Sequence, residues 1–159
     1  MDALLKLLKK NARIPVEDLA KELDISRSEA KARIASFEKE GVILGYQAIL
    51  DSGKTSNGAV TALIEVKITP ERGGGFNRLA SRIAKFEQVQ SCYLMSGGFD
   101  LLVIVEGTNL QEVASFIAEK LATIKGVVST ATHFRLKAYK ENGVLFLPEQ
   151  RQQRLAVTP

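Results

Sequence analysis

Residues 91–106, Ser-Cys-Tyr-Leu-Met-Ser-Gly-Gly-Phe-Asp-Leu-Leu-Val-Ile-Val-Glu, constrain the fold more than any other stretch of the chain. Two apolar runs, Cys92 to Met95 and Leu101 to Val105, flank Ser96-Gly97-Gly98, the pattern of two antiparallel strands joined by a glycine turn. The second run has no polar alternation, so both faces of its strand need cover. Helices can supply one cover. A second sheet, most simply that of an identical chain, can supply the other.

Asp100 is the polar exception in this apolar setting, and two readings of it stand side by side. It is either a turn aspartate capping the Gly97-Gly98 backbone, or, with the free turn amides, one wall of a pocket for a small zwitterion.

Around the hairpin the pattern repeats itself. Val60, Ala62, Ile64, Val66 and Ile68 alternate with Thr61, Glu65 and Lys67 and predict a strand ended by Pro70. After Gly73-Gly74-Gly75, the residues Phe76, Leu79, Ala80, Ile83 and Ala84 fall at helical spacing. Asn109 is placed to cap a further helix bearing Leu110, Val113, Ala114, Ile117, Leu121 and Ile124 on one face, closed near Gly126. Residues 127–137 alternate again as a last strand. Strand, helix, strand, strand, helix, strand predicts a ferredoxin-like βαββαβ sheet with both helices on one side, within an α+β chain. The uncovered side of that sheet predicts a dimer or higher oligomer.

The N-terminal third reads differently. Ala3 to Leu8 are spaced for a short helix ending near Lys10-Asn11. Pro15-Val16-Glu17-Asp18 opens a second, with Leu19, Ala20 and Leu23 as its apolar face. Ser26-Arg27-Ser28-Glu29 matches a capping box for a third, in which Ala30, Ile34 and Phe37 are buried and which Gly41 ends. Three short helices with a tight turn between the last two describe a helix-turn-helix module. Its outward face carries Ser28, Lys31, Ala32, Ala35 and Lys39 with Arg27 at the tip, residue types that suit a DNA major groove. Glu29, Glu38 and Glu40 make the same helix nearly neutral, so a merely solvated face is the competing reading.

Residues 42–50 read as an extended segment and 51–58 as a polar linker. The expected division is therefore a DNA-binding domain over 1–50, a linker over 51–58, an oligomerisation and ligand-binding domain over 59–140 and a tail over 141–159. In the tail, Val144 to Leu147 are expected to pack on a neighbour, with the remainder loosely ordered.

Composition removes several alternatives. The chain of 159 residues is 45% apolar with a net charge of +4, enough apolar content for a core but too little excess charge to identify a partner. No apolar run approaches the roughly 18 residues that span a bilayer, and no secretory signal opens the chain, so a cytoplasmic location is expected. The single cysteine, Cys92, reads as a small buried hydrophobe and permits no disulfide framework. The single histidine, His133, lies near Thr130 and Thr132 without a second histidine or a carboxylate cluster, so no metal, cofactor or acid-base chemistry is expected.

Asn11-Ala12-Arg13, Leu23-Asp24-Ile25-Ser26-Arg27-Ser28, Arg33-Ile34, Glu40-Gly41-Val42-Ile43-Leu44-Gly45-Tyr46, the segment Cys92 to Asp100, and Gly126-Val127 stand out as a set. Together they resemble the Lrp/AsnC, or feast/famine, family of transcription regulators. The resemblance covers both halves in the family's order. It implies a winged helix-turn-helix joined to a ferredoxin-like regulatory domain, assembly as dimers and often as rings of four dimers, and an amino acid or related effector bound between regulatory domains of neighbouring dimers. The effector residues it implies are Gly97 and Asp100, with Leu94 and Gly98 beside them. An α-amino acid fits that set, because a carboxylate partners an ammonium and turn amides partner a carboxylate.

On the DNA side, Arg27, Ser28 and Lys31 are expected nearest the bases of double-stranded DNA, with Arg33, Lys39 and Arg13 as phosphate contacts. Arg33 has a structural alternative, pairing with Glu29 or Glu40. Two other functions compete. One is a ligand sensor without specific DNA recognition. The other is an enzyme on the same fold, since some proteins that resemble this family decarboxylate tetrapyrroles.

Overall fold

The computed structural model describes residues 1–55, 58–69 and 75–146. The chain divides into two compact units, Met1–Ile49 and Leu50–Pro159.

The first unit holds three helices, α1 (Ala3–Lys10), α2 (Val16–Glu22) and α3 (Arg27–Lys39). Each start has a local cause. Asp2 caps α1 by accepting from the Leu4 amide, Pro15 precedes α2, and the Ser26 hydroxyl accepts from the Glu29 amide at 3.1 Å. The ends of α2 and α3 share one device. Asp24 and Gly41 take positive φ values of 53° and 69°. The residue after each then donates to a carbonyl one turn back, Ile25 to Ala20 and Val42 to Phe37. Leu4, Leu8 and Leu19 form the buried centre, with Ile34, Phe37 and Ile43 packed around it.

Residues 42–50 form no strand, so the wing implied by the resemblance is not a hydrogen-bonded hairpin within this one chain. Val42, Leu44 and Leu50 are exposed there, while the Tyr46 hydroxyl donates to Glu38 at 2.9 Å. The expected linker contains a helical turn, α4 (Ser52–Thr55), where a polar coil is predicted. Its cause is local: the Thr55 amide and hydroxyl both return to the Asp51 carbonyl.

The second unit is a four-stranded antiparallel sheet of β1 (Val60–Ile68), β2 (Val89–Leu94), β3 (Leu101–Gly107) and β4 (Val127–Phe134) in the order β2-β3-β1-β4. Helices α5 (Gly75–Ile83) and α6 (Leu110–Ser115) supply the apolar cover of one face. Ala62, Ile64, Val66, Leu101, Val103 and Val105 are fully buried beneath them. That is the expected ferredoxin-like order of elements. Pro70, Gly73-Gly74 and the tail from Leu147 onward fall outside the described residues.

Three details depart from expectation. First, α6 does not run on as a regular α-helix: residues Phe116–Leu121 form a π-helical turn, in which the Ala122 amide reaches the Ile117 carbonyl five residues back at 2.8 Å. The extra residue rotates the buried face, so Val113, Phe116, Leu121 and Ile124 point inward while Leu110 and Ala114 are exposed. Second, β4 stops at Phe134, three residues short of the predicted strand, although the Arg135 amide still bonds to Thr61. Third, the tail begins with a small hairpin, β5 (Lys140–Glu141) and β6 (Val144–Leu145), turned at Asn142-Gly143 with φ values of 47° and 88°. Arg135 ties it down, reaching Glu141 at 3.3 Å and the Thr61 hydroxyl at 2.9 Å.

The other sheet face is half-covered at best. On β3, Leu102 and Ile104 are only partly buried, and their cross-strand partners Leu63 and Tyr93 share that face. His133 also lies on it, with Nε2 3.2 Å from Glu65 Oε1. No carboxylate stands near that histidine along the chain; the β1–β4 register, which sets Leu63 opposite His133 and Glu65 opposite Ala131, brings one.

Candidate functional site

In the helical head, α3 presents the expected face. Arg27, Ser28, Lys31, Ala32, Ala35 and Lys39 are all exposed, and Ala30, Ile34 and Phe37 turn inward. Arg27 makes a solvent-exposed ion pair with Glu17 of α2 at 3.4 Å. Such pairs contribute roughly 0–1 kcal/mol, so Arg27 can exchange Glu17 for a phosphate or base edge at little cost. The Ser28 hydroxyl lies 3.1 Å from that of Ser26. Arg13 is exposed in the turn between α1 and α2, off the α3 face.

Arg33 is placed differently. Its Nη2 donates to Asp2 Oδ2 at 2.7 Å, joining α3 to the start of α1, and neither Glu29 nor Glu40 is its partner. Partial desolvation of Asp2 works to raise its pKa. The Leu4 amide and the Arg33 guanidinium outweigh that and hold it below its ordinary 3.8. The folded head therefore binds fewer protons at Asp2 than the unfolded chain does. The resulting stability is present above the ordinary value and is lost as pH falls through the depressed one. Asp2→Asn is expected to lower the melting temperature at neutral pH, and the difference from wild type should close in acid; parallel melting curves at all pH values would refute the linkage.

In the sheet domain, the strand pairing ends with the Met95 amide bonded to the Asp100 carbonyl, which leaves a loop of Ser96, Gly97, Gly98 and Phe99. Gly97 has φ of 144°, a region open to glycine and strained for other residues, and neither Gly97 nor Gly98 has an atom near the position a Cβ would take. Leu94 is exposed beside them. Asp100 turns away from its own loop: Oδ2 accepts from the Ile68 amide of β1 at 2.8 Å. The cause is the end of the β1–β3 ladder: its last pair is Val66 with Leu101, and the Ile68 amide lies past it, where the Asp100 side chain takes the place of a strand partner. Asp100 thus caps a neighbouring strand, and neither sequence reading of it anticipated that.

Among the described residues no group of three or more His, Cys, Asp or Glu side chains could hold a metal ion. No described helix is long and apolar enough to cross a membrane. Cys92 is half-buried, and its desolvation raises the thiol pKa, the behaviour of a small core residue.

A helix-turn-helix head with a bare, mildly basic α3 face, on one chain with a split βαβ sheet domain, defines a DNA-binding regulator that carries a ligand-binding module. Comparison with known proteins agrees on both halves. Residues 3–43 match the winged helix-turn-helix DNA-binding model and residues 61–145 the Lrp/AsnC ligand binding domain. The chain belongs to the Lrp/AsnC family of transcription regulators. It is 44% identical over 98% of its length to YugG, an HTH-type transcriptional regulator of Bacillus subtilis, of which it covers 95%. It is 31% identical to a proline dehydrogenase transcriptional activator of Rhodobacter capsulatus, over 82% of this chain and 84% of that one. A Neisseria meningitidis transcriptional regulator in complex with L-Met superposes with a TM-score of 0.69 at 25% identity, covering 89% of this chain and 93% of that one.

Proposed function

We infer that this regulator reads its operator with α3 and that an amino acid bound at the Gly97–Asp100 turn controls it. Arg27, Ser28 and Lys31 read bases, while Lys39 and Arg13 hold phosphates. Arg33 serves the head's structure through Asp2. The observation that carries the effector reading is Asp100: one carboxylate oxygen is fixed on the Ile68 amide, the other is without a partner among the described residues, and the glycine loop beside it is open. That arrangement offers a preorganised acceptor for an ammonium group. The Neisseria meningitidis relative's L-Met complex supports a ligand of this class.

A dimer underlies this function. The half-covered sheet face with Leu63, Tyr93, Leu102 and Ile104 is the surface that an identical sheet covers, and a dimer brings two heads to one duplex. A ring of four dimers is compatible with the same surfaces. The effector acts by favouring the assembly in which both walls of its pocket are present. With DNA as its partner, the protein works in the cytoplasm.

The test must not confuse ligand loss with unfolding. Asp100→Ala would strand the Ile68 amide, which lies in a residue only 5% exposed, at a cost of roughly 1–3 kcal/mol. Asp100→Asn keeps an acceptor oxygen for that amide and removes only the charge. Operator binding by fluorescence anisotropy, with each amino acid in turn, should show a ligand response in the wild type. In Asp100→Asn the response should weaken by about tenfold or more at an unchanged melting temperature. A wild-type response in the asparagine variant would refute the assignment.

A further inference from the structure

A concave site lies at the same end of the sheet as the hairpin turn and uses none of the hairpin residues. It is a cleft of ≈ 220 Å³ between α5 and the loop entering β4, lined by Thr69, Arg78, Arg82, Lys125 and Gly126 over the apolar Leu79. Among the described residues, three of its lining side chains are cationic and none is anionic. Arg78 and Arg82 stand one turn apart on α5 and so share a face. Lys125 comes from the opposite wall. That wall is fixed in place because Gly126 takes φ of 100° and its carbonyl accepts from the Thr69 amide at 2.9 Å. Arg78 already has an interaction within the chain, so the charge open to a ligand is that of Arg82 and Lys125, neither of which has an ion pair among the described residues.

Cations on facing walls of one small cleft repel each other, and a bound anion relieves that repulsion. We propose that this cleft is a binding site for a compact dianion, a small dicarboxylate or phosphate-bearing metabolite. The guanidinium of Arg82 presents a planar fork that matches a carboxylate or phosphate edge, and the Lys125 ammonium supplies a point charge from the other side. Size limits the ligand: the cleft is smaller than the roughly 300–1,000 Å³ that holds drug-sized molecules. Thr69, the next residue after Ile68, links this cleft to the strand end that Asp100 caps.

Melting curves of the full-length chain, titrated separately with succinate and with inorganic phosphate against sodium chloride at matched ionic strength, test the proposal. One or both dianions should raise the melting temperature saturably in the wild type where chloride does not. The apparent affinity should fall by about tenfold or more in Arg82→Gln/Lys125→Gln. It should survive in Lys125→Arg, which keeps the charge, and in Asp100→Asn, which lies outside the cleft. No dianion effect beyond chloride in the wild type would overturn the site, whatever the variants do. So would equal affinity in the double variant, or displacement of the bound dianion by a duplex fragment, which would assign the cleft to nucleic acid.

Discussion

A chain carrying alanine at both Arg27 and Lys31 is expected to bind its operator on the order of 10²- to 10³-fold more weakly than the wild type. Each base or phosphate contact is worth roughly 1–3 kcal/mol, and the two residues sit at the exposed tip of α3 and one turn further on, where a groove-bound helix meets its duplex. Stability should barely move, since within the described residues the double substitution removes just the exposed Arg27–Glu17 ion pair. The salt dependence separates base reading from phosphate holding. If both residues hold phosphates, the log-log slope of affinity against salt falls by about 1 per residue in each head. If they read base edges, the slope stays and discrimination between operator and random duplex collapses. Anisotropy titrations at several salt concentrations decide it, and wild-type affinity in the double variant would remove α3 from the interface.

The second large effect is structural. Phe116→Ala should destabilise the sheet domain by about 3–5 kcal/mol, the cost of emptying a buried aromatic site. Phe116 is 3% exposed and meets Phe86 edge-to-face, with centroids 5.4 Å apart and planes at 80°. Its inward direction depends on the π-helical turn. Leu110→Ala, in a position the regular helical pattern would bury, should cost well under 1 kcal/mol because that side chain is 56% exposed. Chemical denaturation of the two variants compares them directly. Similar losses would mean that α6 continues as an ordinary helix.

Those two positions show where the sequence was sufficient and where it was not. Ser26, Asn109 and Gly41 announce helix boundaries because capping is a local matter, settled within four residues. Asp24 performs the same task as Gly41 but has a β-carbon, so composition conceals it. The π-helical turn leaves no mark that a 3.6-residue period can register. Asn142-Gly143 is a legible hairpin signal, yet its two-residue strands are too short for alternation to show.

The candidate sites divide along the same line. The outward face of α3 follows from helical spacing alone. Three polar pairings needed the tertiary fold: Arg33 with Asp2, His133 with Glu65, and Asp100 with Ile68, separated by 31, 68 and 32 residues. None lies within reach of a local pattern. The basic cleft is likewise invisible in one dimension, because Lys125 stands more than forty residues from the arginines it faces.

Under the proposed effector role of Asp100, its fastening to the end of β1 bears on how such a regulator can change its taste for ligands. A side chain that simultaneously completes a strand ladder cannot be traded freely, so natural variants that answer to a different metabolite should keep an acceptor there. They should vary instead at Leu94, whose side chain stands free of the core. New specificity would then arise around an unmoved anchor, and a lineage could switch signals without first passing through an unstable intermediate.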